Sequence, residues 1–168
     1  PGYTGEISVD GKKAAIKSPI DAMKFGIALV PEDRKQEGLY KVQSVRFNST
    51  IEVLKSFIKG IWVDADKEEE ITRQYIEMMD TKTPSQEQLI GNLSGGNQQK
   101  VMIGRWLATA PKILILDEPT RGVDVGAKSE IYGIMNELVK KGVSIIMISS
   151  ELPEILNMSD RVYVMCDG

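Results

Sequence analysis

The sequence predicts an α/β fold in which parallel strands are covered by helices, and two apolar runs are the main reason. Residues 113–116 and Ser144–Ile148 show almost no polar alternation, which is typical of strands covered on both faces. A helix predicted over 126–141 lies between them and can form a right-handed crossover. The 168 residues are enough to bury the core of one domain.

Residues 1–32 also predict sheet structure. Residues 6–9 alternate between polar and apolar side chains before a turn at Asp10 and Gly11. Ile27–Val30 is an apolar run that a proline ends.

The C-terminal stretch 109–168 alternates strands and helices. Besides the elements named above, a short helix is predicted near 153–156 and a last strand at 161–165. We therefore assign 1–32 and 109–168 to one parallel α/β core.

The stretch between them, 33–108, is predicted to be mainly helical. Residues 48–50 are expected to cap a helix that runs to about Lys59. Asp66 is expected to cap a second helix, with an acidic run close to its positive end.

Composition excludes several classes of function. The net charge of −3 gives no basic field, so we expect no nucleic-acid partner. The chain has no histidine, which rules out Ser-His-Asp hydrolysis and histidine-ligated zinc in this chain. The single cysteine, Cys166, follows an apolar run and is expected to be packed. No apolar run reaches the roughly 18 residues of a membrane span, so we expect any membrane role to act through a partner.

Two acids, Asp117 and Glu118, directly follow the apolar run 113–116. A buried parallel strand that ends in two carboxylates places them at the edge where ligands bind in open α/β sheets. The pair would repel unless a cation or water shares the site. A plain strand end with two solvated acids remains the alternative at this point.

The second motif is the run LSGGNQQK, residues 93–100, which leads into the predicted helix 101–108. Two glycines before a helix let backbone N–H groups approach an anion, and the helix dipole favours the negative charge. The Ser94 hydroxyl adds a donor. A glycine-rich helix start without a ligand is the alternative reading.

Taken together, LSGGNQQK and ILILDEPTRGVDVGAK resemble the signature and Walker B motifs of ATP-binding-cassette (ABC) ATPases. The form DEPTRGVDVGAK, with SSELPE after the next strand, resembles the C-terminal cassette of double-cassette monosaccharide importers. The galactose/methyl-galactoside type is the most similar and the ribose type next, on the stretches IALVPEDRKQEGLY, FNSTI, KTP, IGNLSGGNQQKVMIGRWL and MSDRVYVM. The resemblance implies an ABC-type P-loop NTPase nucleotide-binding domain: a parallel core sheet with an inserted helical subdomain at 33–108.

The resemblance also implies roles for single residues. Asp117 would be the acid associated with Mg²⁺, and Glu118 the catalytic carboxylate. The signature would clamp ATP bound by an opposing cassette through Ser94, Gly95, Gly96, Asn97 and Gln98. Gly122, Val123 and Asp124 would form the loop that passes between the two cassettes.

Three positions depart from the common family pattern. Ser150 stands where a switch histidine is usual, and a serine can donate a hydrogen bond but cannot carry charge. Glu32 replaces the glutamine that senses the γ-phosphate, which puts an anion near phosphates unless Mg²⁺ offsets it. Asn97 replaces the glutamine that usually follows the two glycines.

The phosphate-binding P-loop itself is missing, since no G-x-x-x-x-G-K-[ST] occurs in the sequence. The spacing of Gly91 and Gly96 imitates it, but Asn97 and Gln98 stand where lysine and a hydroxyl residue are required. We therefore interpret the chain as a truncated domain, residues 1–168 of a partial cassette, and expect it to be inactive by itself.

The implied cofactors are ATP and Mg²⁺, and the implied activity is ATP hydrolysis coupled to monosaccharide import. The implied partners are transmembrane permease subunits, a second nucleotide-binding domain and a periplasmic or lipoprotein sugar-binding protein, at the cytoplasmic face of the membrane. One alternative is a non-catalytic module whose signature completes the partner's ATP site. A soluble ABC machine acting on DNA or ribosomes would need coiled-coil insertions or basic arms, and neither occurs.

Overall fold

The computed structural model describes residues 5–166 of the chain. The strands in this range are, in chain order, β1 (Ser8–Val9), β2 (Lys12–Lys13), β3 (Ile27–Val30), β4 (Ile58–Lys59), β5 (Trp62–Val63), β6 (Ile113–Asp117) and β7 (Ser144–Ile148). The α-helices are α1 (Pro19–Lys24), α2 (Val45–Thr50), α3 (Ala65–Met78), α4 (Gly95–Leu107), α5 (Val125–Lys140) and α6 (Leu152–Met158).

Strands β3, β6 and β7 form a parallel sheet in that order. Val30 pairs with Leu116, and Asp117 pairs with Ile148, so all three strands end at the same edge. Strands β1 and β2, and likewise β4 and β5, form separate antiparallel pairs. The predicted parallel α/β architecture is therefore confirmed, and β3, β6 and β7 begin and end within one residue of the predicted bounds.

One face of the sheet carries the core. Ala28, Val30, Leu114 and Leu116 alternate along β3 and β6 and are at most 2% exposed. They join a cluster with buried side chains of the helices α4 and α5, namely Val101, Met102, Ile103, Leu107, Ile131, Met135 and Leu138. Every second side chain of the strands points to this face, and one face of α4 and of α5 packs against it. This is the usual packing of a helix layer on a sheet.

The helical part begins differently from the prediction. Ser44, not residues 48–50, caps α2: its hydroxyl accepts the Phe47 N–H at 3.1 Å. Asn48 is fully buried inside that helix and bonds both the N–H and the C=O of Tyr40. The helix predicted after residues 48–50 does form, as a 3-10 helix over Ile51–Phe57, but Thr50 at its start makes no side-chain capping hydrogen bond. A side-chain cap needs an extended backbone, which Ser44 has and Thr50 lacks.

The second predicted cap is off by two residues for the same reason. Asp64, in the extended backbone conformation, caps α3 by accepting the Lys67 N–H, and Asp66 lies in the first turn. An acid in the first turn still stabilises the helix dipole.

The predicted strand at 161–165 is absent from the described structure. Residues 162–165 have no strand assignment, and Val164 and Met165 are about four-fifths exposed. Cys166 is exposed rather than packed. The physical reason is that a strand needs a partner, and no described strand pairs with this run.

The second face of the sheet is uncovered among the described residues. Leu29, Ile146 and Ile148 lie on it and are 47%, 52% and 48% exposed. The outer edge of β7 also has no strand beside it within residues 5–166. Free strand edges and open apolar faces favour association with other chains.

We expect the isolated chain to self-associate through this face, and Ile146→Lys to weaken the association. Removing one large apolar side chain from a contact makes the free energy of association less favourable by about 1.5–3 kcal/mol. The dissociation constant should therefore rise about 10- to 100-fold. Light scattering across a concentration series measures it. Val139→Lys on α5, where the side chain is 52% exposed, is the matched control. A monodisperse monomer at all concentrations would contradict the prediction.

A buried charge connects the helical part with the core. The ammonium of Lys100 on α4 is almost fully buried and donates to the Asp80 carbonyl at 2.8 Å. Its charge partner is the Glu130 carboxylate on α5, at 2.7 Å. The hydrogen bond from Lys100, followed by its charge, lowers the pKa of Glu130. A lowered pKa means that this carboxylate stabilises the fold above its unfolded pKa and loses that effect as pH falls through the folded value.

Glu130→Gln should therefore lower the free energy of unfolding at neutral pH by about 1 kcal/mol, since Glu130 is half exposed. The difference from the parent should shrink as pH falls from about 7 to about 3, because the parent then loses the same charge. Urea unfolding over this range measures both effects. Glu70→Gln, at an exposed position of α3, should leave the profile unchanged. A difference that grows in acid would show that the pair does not act in this way.

Candidate functional site

The two predicted acids lie at the common end of the three parallel strands. Asp117 is the last residue of β6, and Glu118 follows it with a left-handed backbone conformation, φ +45°. That conformation is costly for a residue with a side chain and persists only where the surroundings fix it. Here the Glu118 N–H donates to the Ile148 carbonyl at 2.9 Å, and its carbonyl accepts the Arg121 N–H at 3.0 Å.

Ser150 lies beside Glu118 at this edge. The backbone N–H of Ser150 donates to Glu118 Oε1 at 2.8 Å, so the end of β7 holds the carboxylate directly. The contact comes from the backbone of Ser150 and not from its hydroxyl. The structure thus brings these two predicted residues together.

A buried carboxylate that the sequence reasoning missed supports both loops. Glu154 on α6 is 3% exposed and accepts the Thr120 hydroxyl at 3.0 Å and the Ser149 hydroxyl with its other oxygen. Thr120 follows the acids of β6, and Ser149 follows β7. Burial, as the main cause, raises the pKa of the nearby Tyr132 phenol. A buried charge is costly unless hydrogen bonds satisfy it, so Glu154 fixes the two loops relative to each other.

Glu32, at the end of β3, is paired with a cation. Its carboxylate forms an ion pair with the Arg121 guanidinium, so its negative charge does not stand alone at the edge. Arg34 lies two residues further on and donates to two consecutive carbonyls, Arg121 O at 2.7 Å and Gly122 O at 2.8 Å. The segment after β3 is thereby attached to the loop after β6. Sequence reasoning did not find Arg34, because its contacts are 87 and 88 residues away.

The two glycines of the 93–100 run lie where side chains would collide. A Cβ on Gly96 would come within 2.5 Å of the Ala127 Cβ, because the start of α4 lies directly against the start of α5. A Cβ on Gly95 would come within 2.9 Å of the Arg34 guanidinium and 3.2 Å of the Gly122 carbonyl. The glycines therefore serve close packing of this helix start against the loop after β6.

Three polar residues here have structural contacts within the chain. Ser94 caps α4, and Asp124 caps α5 by accepting the Ala127 N–H at 2.9 Å. The Gln98 amide donates to the Leu93 carbonyl at 2.9 Å.

Between the two helix starts lies a depression of about 220 Å³, lined by Lys82, Ser94, Gly96, Asn97, Asp124, Gly126, Ala127 and Glu130. A more apolar depression of about 290 Å³ lies around Lys100 and Glu137 and shares Glu130 with the first one.

Comparison with known proteins identifies this arrangement. The family described as "ABC transporter" matches residues 1–121 of the chain. The chain belongs to the ABC transporter family.

Two curated relatives of this ABC chain are sugar import proteins by name. The ribose import ATP-binding protein of Bacillus licheniformis is 54% identical over 168 residues, all of this chain and 34% of that protein. A putative ribose/galactose/methyl galactoside import ATP-binding protein of Rhizobium etli is 51% identical over 164 residues, 98% of this chain and 31% of that protein. The chain thus spans about a third of the length of these relatives.

The fold comparison agrees with the family. A solved ATP-binding cassette of an ABC transporter superposes with a TM-score of 0.77 at 27% identity, covering 94% of this chain and 64% of that one. The ABC chain is therefore a P-loop NTPase fold by structure as well as by sequence, although it carries no P-loop sequence of its own.

No cluster of three or more acidic, histidine or cysteine side chains that could hold a metal lies within residues 5–166. Asp117 could still serve Mg²⁺, because this ion keeps several waters and takes most other ligands from substrate phosphates. Asp117 at an open strand edge fits that mode. Over the same residues, no helix has the length and apolar character needed to cross a membrane.

Proposed function

We propose that this chain supplies the signature motif and the hydrolytic carboxylate of an ATPase that drives import of a monosaccharide. The observation that carries the proposal is Glu118, held in a left-handed conformation at the strand ends and bonded to the N–H of Ser150. A carboxylate whose backbone and side chain are both fixed at a ligand-binding edge suits a group that orients water. The sugar class is taken from the names of the relatives, whose ribose and galactoside forms are similar in identity.

In this proposal, Asp117 binds Mg²⁺ through water, Glu118 polarises the attacking water, and Ser150 lies at the switch position. Glu32 stands near the γ-phosphate, with Arg121 offsetting its charge. The positive charge of Arg121 reduces the repulsion between Glu32 and the phosphates, so the metal ion need not offset that repulsion alone.

The signature side of the proposal concerns the start of α4. The start of α4, where Ser94, Gly96 and Asn97 line the open depression, can bind a phosphate of ATP held by an opposing cassette through backbone N–H groups and the Ser94 hydroxyl. Residues 33–108, with α2, α3 and α4, would act as the helical subdomain that carries the signature. Gly122, Val123 and Asp124 would form the loop between cassettes.

The P-loop would come from a polypeptide segment outside this sequence. Three features support this: the uncovered apolar face with Leu29 and Ile146, the free edge of β7 and the exposed run 162–165. A further strand beside β7, followed by a helix on the open face, would cover all three. The isolated chain is accordingly proposed to be inactive in hydrolysis.

The wider assignment follows from the same relatives. The partners would be transmembrane permease subunits, a second nucleotide-binding domain and a sugar-binding protein outside the membrane. The ATPase would lie on the cytoplasmic face of the membrane, held there by the permease, with ATP and Mg²⁺ as its cofactors.

Glu118→Gln in the full-length protein that contains this chain should lower ATP turnover at least about 100-fold while ATP binding persists. The amide keeps the shape of the side chain and removes the charge that polarises water. Steady-state hydrolysis and nucleotide binding by fluorescence measure the two effects. Glu77→Gln, at an exposed position of α3, is the matched control. Unchanged turnover would place hydrolysis in the partner cassette and leave this chain the non-catalytic module.

Ser150→Ala in the same protein should lower turnover about tenfold or less. The substitution removes one neutral hydrogen bond, worth about 0.5–1.5 kcal/mol, and keeps the backbone N–H that holds Glu118. Single-turnover rates measure the effect, with Ser129→Ala on the exposed face of α5 as the control. A loss greater than about 100-fold would show that the hydroxyl has a larger role than a single neutral donor.

A further inference from the structure

The hydroxyl of Ser94 receives two hydrogen bonds from one residue. Asn97 donates its backbone N–H across 3.4 Å, the cap of α4, and its side-chain Nδ2 donates at 2.9 Å. A serine oxygen has two acceptor positions and one proton. Because both donors of Asn97 point at this oxygen, the hydroxyl proton must be directed elsewhere. Ser94 is exposed and lines the depression between α4 and α5, so its proton is free to donate there.

The orientation of the Asn97 amide is fixed from its other side. The backbone N–H of Lys82 donates to Asn97 Oδ1 at 2.8 Å. A backbone N–H can only donate, so the amide atom facing it must be the oxygen. The nitrogen is therefore the atom that faces Ser94, and the amide acts as a donor to the hydroxyl.

The amide of Asn97 has a different hydrogen-bond partner from the one that a glutamine typically has at this position. Ser94 is the residue before the first turn of α4, and Asn97 is the third residue of that helix. A glutamine at the third position typically reaches back to the backbone N–H of the capping residue. Asparagine is one methylene shorter, and in this chain its amide contacts the hydroxyl of the cap instead. The asparagine therefore acts on the Ser94 hydroxyl rather than on the backbone.

We propose that Asn97 is a positioning residue that fixes the Ser94 hydroxyl as an outward hydrogen-bond donor for an anionic phosphate of the nucleotide. The inference rests on the proposed function, since it assumes that the signature meets a phosphate. Asn97 itself contacts no ligand in this role; it acts only through Ser94.

Asn97→Asp in the full-length protein tests this. The carboxylate still accepts the Lys82 N–H with one oxygen, but its other oxygen has no proton to give to Ser94. The Ser94 hydroxyl then donates to Asp at position 97 and is withdrawn from the phosphate. An acid in the first turn stabilises a helix, so the variant should fold, which thermal unfolding checks. We expect kcat/KM for ATP to fall about 10- to 100-fold, the effect of one donor to a charged acceptor.

A double-mutant cycle with Ser94→Ala separates positioning from simple charge repulsion. If Asn97 acts through the Ser94 hydroxyl, Asn97→Asp should change kcat/KM less than about threefold in the Ser94→Ala background. If the new charge alone repels phosphate, the loss will be the same in both backgrounds, and the inference is overturned. Asn136→Asp, at an exposed position of α5, supplies the matched control and should leave kcat/KM unchanged in the parent.

The two proposals fail differently. If Ser94→Ala lowers kcat/KM and Asn97→Asp alone does not, the signature meets the nucleotide and only the positioning role is wrong. If Ser94→Ala changes neither kcat/KM nor ATP binding, this chain's signature does not meet a phosphate, and both the proposed function of that surface and the inference are wrong.

Discussion

The parallel pairing of β6 with β3 and β7 constrains the whole strand-end site. In this register Asp117 lies opposite Ile148, so the chain must turn away directly after the last paired residue. Glu118 makes that turn in a left-handed conformation, and the Ile148 carbonyl accepts its N–H. The position of the carboxylate therefore depends on a neighbouring strand that comes about 30 residues later in the chain. A change in the pairing of β7 would move Glu118 even if its own strand were intact.

Side chains, more than regular structure, hold the loops around this edge. Glu154 receives a hydroxyl from the loop after β6 and another from the loop after β7. Arg34 donates to the backbone of the loop after β6 from the segment after β3. Three loops from three strands are thus connected by hydrogen bonds to two charged groups, which are stronger than bonds between neutral partners. These contacts give the edge a defined geometry.

The signature and the carboxylates are connected through a single guanidinium. Arg34 occupies the space next to Gly95, so the close approach of α4 requires glycine at that position. The same group bonds the loop that begins with the acids of β6 and ends at Asp124, the cap of α5. A displacement of that loop would therefore move Arg34 and change its contact with the start of α4. This gives a physical route by which a movement at the carboxylates could reach the start of α4.

The sequence by itself determined the three core strands, the crossover helix α5 and the place of the acids at the strand ends. Those features depend on local apolar runs and on the direction of a parallel connection, both of which are short-range properties. The helix predicted after residues 48–50 forms over Ile51–Phe57, but these residues do not cap it, because cap-forming side chains also occur inside helices. The extended backbone of Ser44 identifies the cap of α2. The run 162–165 has the composition of a strand, but a strand forms only against a partner, and none of the strands described within residues 5–166 lies beside it. Tertiary structure alone also decided the contacts of Arg34 and Glu154, because they join loops whose separation along the chain leaves no local pattern.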